Sequence, residues 1–152
     1  DQMPWYQTAP LSILSHSLPW LPLTGQGLDI WPSDNIEMLR RLSRDRNMMS
    51  AVRVDVIAGV ADLMELARSR ATDITVPTLL LSGIEDQVIP PAAVAALDRD
   101  LVGLDLPAYH RCLYDDGYHM LLRDLNGPVV IDDIYRWIMR SAPDQNYSCR
   151  GS

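Results

Sequence analysis

The stretch VPTLLLSG (76–83) narrows most sharply what this chain can fold into. It is an unbroken apolar run bounded by Pro77 and Gly83, with no polar alternation. A strand with one face in water alternates. A continuous run reads as a strand covered on both faces, the condition of a parallel sheet flanked by helices. The next segments meet that demand. PPAAVAALDRDLVG (90–103) opens on prolines suited to the first helical turn, closes on Gly103, and puts Val94, Leu97 and Leu101 on one face. HRCLYDDG (110–117) reads as a second strand, and GPVVIDDIYRWIMR (127–140) as a closing amphipathic helix with the stripe Val130, Ile134, Trp137 and Ile138. Strand, helix, strand, helix in that order makes the strands parallel neighbours joined by a right-handed crossover.

Two strands make a poor parallel sheet. Sheets usually hold about 4–6 strands, and a narrower one leaves apolar edges open to water. The chain has 152 residues, 47% of them hydrophobic, enough for one domain or a piece of one. The missing strands point to a piece. A formal charge of −7 argues against a nucleic-acid partner, which needs clustered Lys and Arg. No stretch is long and apolar enough to span a bilayer, and no basic-plus-apolar signal opens the chain. It begins Asp1-Gln2, which reads as a cut or trimmed end, so location stays open, with the cytoplasm or the membrane periphery favoured. Cys112 and Cys149 lie far apart without metal-type spacing and are read as two free thiols in a reducing compartment.

The first half is of another character. Five prolines interrupt residues 1–32, which read as loop with a short apolar helix near 10–18. PSDNIEMLRRLSRD reads as a helix, with Asp34 and Glu37 as a capping-box pair. In 50–70, VRVDV alternates like a strand, but Val56, Val60, Leu63, Met64 and Ala67 follow helical spacing, and the length favours a helix throughout. The expected division is therefore 1–70 as a Pro/Trp-rich leader and helical region, 71–142 as the β-α-β-α part, and 143–152, after Pro143, as a polar tail.

Chemistry belongs at the C-terminal ends of the two strands, where open parallel sheets bind ligands. The first loop, SGIEDQVIPP, places Asp86 three residues after Gly83. The second, DDGYHMLL, places His119 two after Gly117. A carboxylate facing an imidazole is the orienting half of a nucleophilic triad: it fixes the tautomer and stabilises the imidazolium. Taken singly, Asp86 is a turn or cap residue with Glu85 as a rival, His119 a half-buried loop residue, and Asp115 and Asp116 a solvated strand end. Taken together, strand–GxxD–helix followed by strand–GxH–helix is rare, and the catalytic reading is the stronger one. His110, at a strand start, is expected at the surface. Neither it nor His16 forms a metal spacing with His119, so no metal or other cofactor is expected.

On these residues the chain resembles the C-terminal part of an α/β-hydrolase. VPTLLLSGIEDQVIPPAAVAAL is similar to the family's next-to-last strand, acid loop and helix, and YDDGYHMLLRD to its last strand and histidine loop. Within the superfamily it looks like the serine hydrolases called monoacylglycerol lipases or lysophospholipases, and SDNIEMLRRLSRDRNMMSAVRVDVIAGVADLMELA resembles their helical lid. The resemblance covers about 30–140, and more loosely the start. It implies Asp86 as triad acid, His119 as triad base, and an acylglycerol or lysophospholipid-like ester as substrate. In that lid Met38, Met48, Met49 and Met64 read together as an acyl-chain entrance with transient lipid-surface contact, while for any single Met ordinary helix packing is the stronger reading. Trp5, Trp20 and Trp31 would then sit at an interface or pin loops to the core.

The chain departs from the family in its nucleophile. The family's triad runs Ser, acid, His, with the Ser in a G-x-S-x-G elbow. The glycines stand at 25, 27, 59, 83, 103, 117, 127 and 151, and no two are four apart. Ser12, Ser15 and Ser17 lack a strand–turn–helix context, and no HGGG-type segment is present. The resemblance therefore puts the nucleophile, the oxyanion donors and the earlier strands in an N-terminal half, either the same gene product truncated here or a separate chain. This chain alone is expected to be inactive. Two other readings remain: an α/β-hydrolase of the epoxide hydrolase or dehalogenase type with an Asp nucleophile, or a non-enzymatic interaction module that pairs through its open sheet edge.

Overall fold

The apolar run forms a strand and its partner lies beside it. In the computed structural model, which describes residues 14–25, 27–139 and 147–150, the elements in chain order are β1 (Pro22–Leu23), α1 (Ile36–Leu42), β2 (Val52–Arg53) and α2 (Val54–Ser69), followed by β3 (Thr78–Gly83), α3 (Pro91–Val102), β4 (Tyr109–Tyr114) and α4 (Gly127–Met139). β3 and β4 pair in parallel, with Thr78 opposite Tyr109 and Gly83 opposite Tyr114. The α/β expectation holds, as an incomplete parallel sheet: among the described residues this sheet is two strands wide. Trp5, Ser12, Pro143 and the first part of the helix expected near 10–18 lie outside the described residues; 14–17 is helical.

Period-two alternation sorts the strand side chains onto two faces. Leu79, Leu81, Cys112 and Tyr114 meet Val130, Ile134 and Trp137 of α4 in the main core cluster. The other face meets α3, whose Asp98 accepts hydrogen bonds from the Tyr109 hydroxyl (2.5 Å) and Arg111 (2.8 Å). The α3 residues Ala96 and Leu101 are buried.

Beyond the end of β3 the two segments stay together. Ile84 N–H donates to Tyr114 O (3.0 Å) and Glu85 N–H to Gly117 O (2.9 Å). This approach is why glycines stand at both positions. A Cβ on Gly83 would fall within the Gly117 carbonyl group, and one on Gly117 would lie 2.6 Å from Leu121 Cδ2 and 2.9 Å from Gly83 Cα.

Four expectations need correction. Cys112 and Cys149 are not free thiols; they form a disulfide with Cα atoms 5.9 Å apart. The spacing concealed this because the bond depends on residues 147–150 returning to β4. There Tyr147 is buried, donates its hydroxyl hydrogen to Asp133 O (2.6 Å), and stacks edge-on against His110. A disulfide is a feature of oxidising surroundings, so the thiol argument for a reducing compartment falls. His110 is accordingly not a free surface residue: its Nδ1 is buried without a hydrogen-bond partner. The helix expected throughout 50–70 gives up its first residues to β2, which pairs antiparallel with β1 before α2 begins. Lastly, Asp34 does not cap α1. Asn35 does, accepting from Met38 N (3.1 Å), while Asp34 Oδ1 accepts from Leu125 N (2.8 Å) in the histidine loop.

The predicted α2 stripe is also outward. Val56, Val60, Leu63 and Met64 are exposed. The side carrying Ile57, Ala61 and Arg68 is the less exposed one, and the Arg68 guanidinium stands 3.9 Å from Asp100 of α3.

Two measurements check this architecture. Gly83→Ala forces the loops apart and is expected to lower unfolding free energy by roughly 2–3 kcal/mol. Gly59→Ala, inside α2 with nothing within 4 Å of its added Cβ, should instead stabilise by about 0.5–1 kcal/mol. Denaturant midpoints moving in opposite directions support the close approach. Separately, the disulfide spans 37 residues, so its reduction should cost roughly 3–4 kcal/mol on chain-entropy grounds. An unfolding midpoint insensitive to reductant would contradict the bond.

Candidate active site

Asp86 is placed by its own turn. Its Oδ1 accepts from the amides of Val88 (2.8 Å) and Ile89 (2.9 Å), an Asx turn leading into the prolines before α3. With Oδ1 occupied, Oδ2 faces the second loop and meets His119 Nδ1 at 3.1 Å. The rival Glu85 is exposed and its amide is spent on Gly117, so of the two acids it is Asp86 that reaches the ring. The Asp86 side chain is 16% exposed and that of His119 38%. The carboxylate is shielded while the ring reaches solvent.

Burial alone would raise the Asp86 pKa. The Ile89 amide, the His119 ring and the Val88 amide together outweigh it and hold the carboxyl below its ordinary 3.8. A carboxylate on Nδ1 makes that nitrogen the donor and leaves Nε2 as the proton acceptor.

A cavity of about 320 Å³ opens beside the pair, at the small end of the roughly 300–1,000 Å³ common for ligand pockets. Leu80, Leu81, Ile89, Val94, Leu97 and Leu121 supply apolar walls, and Asp86 and His119 are its titratable residues. Ser82 also lines it, with Oγ buried and unpartnered. Ser82 lies within β3 and so has no strand–turn–helix elbow around it. Among the described residues no group of three or more His, Cys, Asp or Glu is placed to hold a metal ion.

The comparisons with known proteins bear on this arrangement. The family model described as serine aminopeptidase, S33, an α/β-hydrolase group, matches residues 1–126. The chain belongs to that family. A crystal structure of the Paleococcus ferrophilus monoacylglycerol lipase is similar to it with a TM-score of 0.73 and 26% identity, over 90% of this chain and 52% of that one. The chain thus spans about half the length of that solved relative. No curated protein matches it. Family membership and the solved relative agree with an α/β-hydrolase part of the monoacylglycerol lipase kind.

Sequence reasoning paired Asp86 with His119 in this hydrolase part but missed what holds their loops. The segment 31–35, WPSDN, laces across both. Trp31 N–H donates to Gln87 Oε1 (2.9 Å) in the acid loop, and Pro32 O accepts from Met120 N (2.9 Å) in the histidine loop. Ser33 Oγ–H donates to Asp124 Oδ1 (2.6 Å), and Asn35 Nδ2 donates to Arg123 O (3.0 Å). Ser33 and Asp124 are 91 positions apart, so no local spacing signals the contact.

The depressed Asp86 pKa sets a pH dependence. The folded chain binds this proton more weakly than the unfolded one. Stability from the group is therefore complete above its ordinary 3.8 and is lost as pH falls through the lower folded value. Asp86→Asn should thus destabilise most at neutral pH, and the gap to the parent should narrow as pH falls below 3.8. A gap constant with pH in urea titrations would contradict the assignment.

Proposed function

We propose that this chain supplies the acid and base of a serine ester hydrolase acting on acylglycerol or lysophospholipid-like carboxylic esters. The nucleophile and oxyanion donors come from outside its 152 residues. The observation that carries this is the 3.1 Å contact between Asp86 Oδ2 and His119 Nδ1 at the mouth of an apolar cavity.

Mechanistically, a serine hydroxyl attacks the acyl carbonyl while His119 Nε2 takes its proton. Asp86 holds the ring and offsets the imidazolium charge. The same proton passes to the departing alkoxide, releasing the alcohol and leaving an acyl-enzyme. Water, deprotonated by Nε2, then attacks the acyl carbon, and the proton returns to the serine as the carboxylic acid leaves.

The cavity wall suits an acyl ester. Aliphatic walls suit a hydrocarbon chain. The solved relative is named a monoacylglycerol lipase, in line with this reading. Met48, Met49, Met64, Trp20 and Trp31 are exposed, and the same reading gives this soft apolar surface to transient contact with the lipid that holds the substrate.

Complementation tests the proposal. A fluorophosphonate probe should label no serine in this chain alone. Adding an N-terminal half that carries a G-x-S-x-G elbow should restore p-nitrophenyl ester hydrolysis. His119→Ala should then cut kcat by about 10³-fold or more. A labelled serine in this chain, or a fully active His119→Ala complex, would overturn it.

A further inference from the structure

His119 stands between two backbone amides, and each is tied to a different partner. On one side Tyr118 N–H donates to Asp124 Oδ2 (2.8 Å); on the other Met120 N–H donates to Pro32 O (2.9 Å). Both oxygens of Asp124 are used, since Oδ1 accepts the Ser33 hydroxyl at 2.6 Å. Ser33 Oγ in turn accepts from Asn35 N (3.2 Å). Ser33 is 0% exposed and Asp124 5%. A buried carboxylate with two short donors is a costly arrangement unless both donors are present, and here one donor comes from each segment to be joined.

The unit joins the residues before α1 to the loop after β4 at the place where the ring is aimed. The loop 117–126 contains turns and a bend but no helix or strand, and its remaining internal ties include Arg123 N to Met120 O (2.6 Å) and Gly127 N to Asp124 O (2.9 Å). Those bonds shape the loop but do not fix it against the acid loop. The Glu85 N–H to Gly117 O bond ties the start of the loop there, and the clamp ties the part beyond His119, because segment 31–35 also reaches Gln87, next to Asp86.

We propose that Asp124, together with Ser33, positions His119: the pair locks the Tyr118 amide so that Nδ1 stays on Asp86 and Nε2 stays turned away from it as the proton-accepting nitrogen. Neither residue touches the reacting atoms. This inference rests on the proposed roles of Asp86 and His119, but its test needs no substrate.

The test is the imidazole tautomer of His119, read from side-chain 15N shifts on the whole chain near neutral pH. In the parent, Nδ1 carries the proton and donates to Asp86. Asp124→Asn keeps the shape but can no longer accept at both atoms, and Ser33→Ala removes one donor. In each, the Nδ1–H signal should be lost in favour of the Nε2–H form of an unconstrained imidazole, with β3 and β4 amide shifts unchanged. Ser33→Thr, which keeps the hydroxyl, should restore the parent tautomer. A tautomer unmoved in both variants would overturn the positioning role. So would loss of the whole fold in both, which would make the pair a general prop. A parent ring already in the Nε2–H form would instead sink the Asp86–His119 pairing itself, so the two failures are distinguishable.

Discussion

Two peptide backbones pass at contact distance where Gly83 meets Gly117, and the remainder of the site depends on that approach. The parallel ladder of β3 and β4 brings the strands to this point in register. With no side chain on either residue, the pairing runs further, through the Ile84 amide on the end of β4 and the Glu85 amide into the second loop. Each loop then needs only a short reach. Asp86 sits three residues past its glycine and His119 two past its own, and the side chains close the remaining 3.1 Å. A Cβ at either glycine would separate backbones, a displacement no rotamer change can absorb.

The periphery holds this junction from two directions. On one side, segment 31–35 bonds to both loops and ends in the buried Ser33–Asp124 pair. On the other, residues 147–150 are bound to β4 by the Cys112–Cys149 disulfide. They also reach Asp133 of α4, which is fully buried and accepts from the Tyr114 hydroxyl (3.0 Å) and the Arg150 amide (3.0 Å). Burial and the Asp133 carboxylate push the Tyr114 hydroxyl well above its ordinary range. The strand leading to His119 is thus anchored at its middle and its end. Elsewhere the chain is loosely covered: β3 is only half-buried, and α2 and α4 show exposed apolar side chains such as Leu63, Ile131 and Ile138. Such exposure fits a chain that spans about half of its solved relative.

The β-α-β-α half was legible in the sequence because its signals are local. An unbroken apolar run, prolines before a helix, and an acid and a histidine at fixed offsets from two glycines need no knowledge of distant contacts. The expected strands and helices match β3, α3, β4 and α4 to within a few residues. The paired glycines showed where the acid and histidine stand, though not that one backbone would lie against the other. What escaped were contacts between residues far apart in sequence. Cys149 meets Cys112 only once the tail folds back. Asp34 looked like a helix cap and instead serves Leu125. The α2 stripe has helical period, but period alone does not say which side of a helix is covered. Here the covered side runs through Val54, Ile57 and Ala61 instead.

Backbone hydrogen exchange at Glu85 tests the central claim most directly. This amide lies beyond the end of β3 and is bonded to Gly117 O only if the two loops are docked, whereas the Ile84 amide, bonded to Tyr114 O at the end of β4, reports the pairing of the strands themselves. Docked loops should give the Glu85 amide protection comparable to that of the β3–β4 ladder. Exchange at the rate of an open loop, with the ladder itself protected, would show that the strands pair but do not bring the acid and the histidine together.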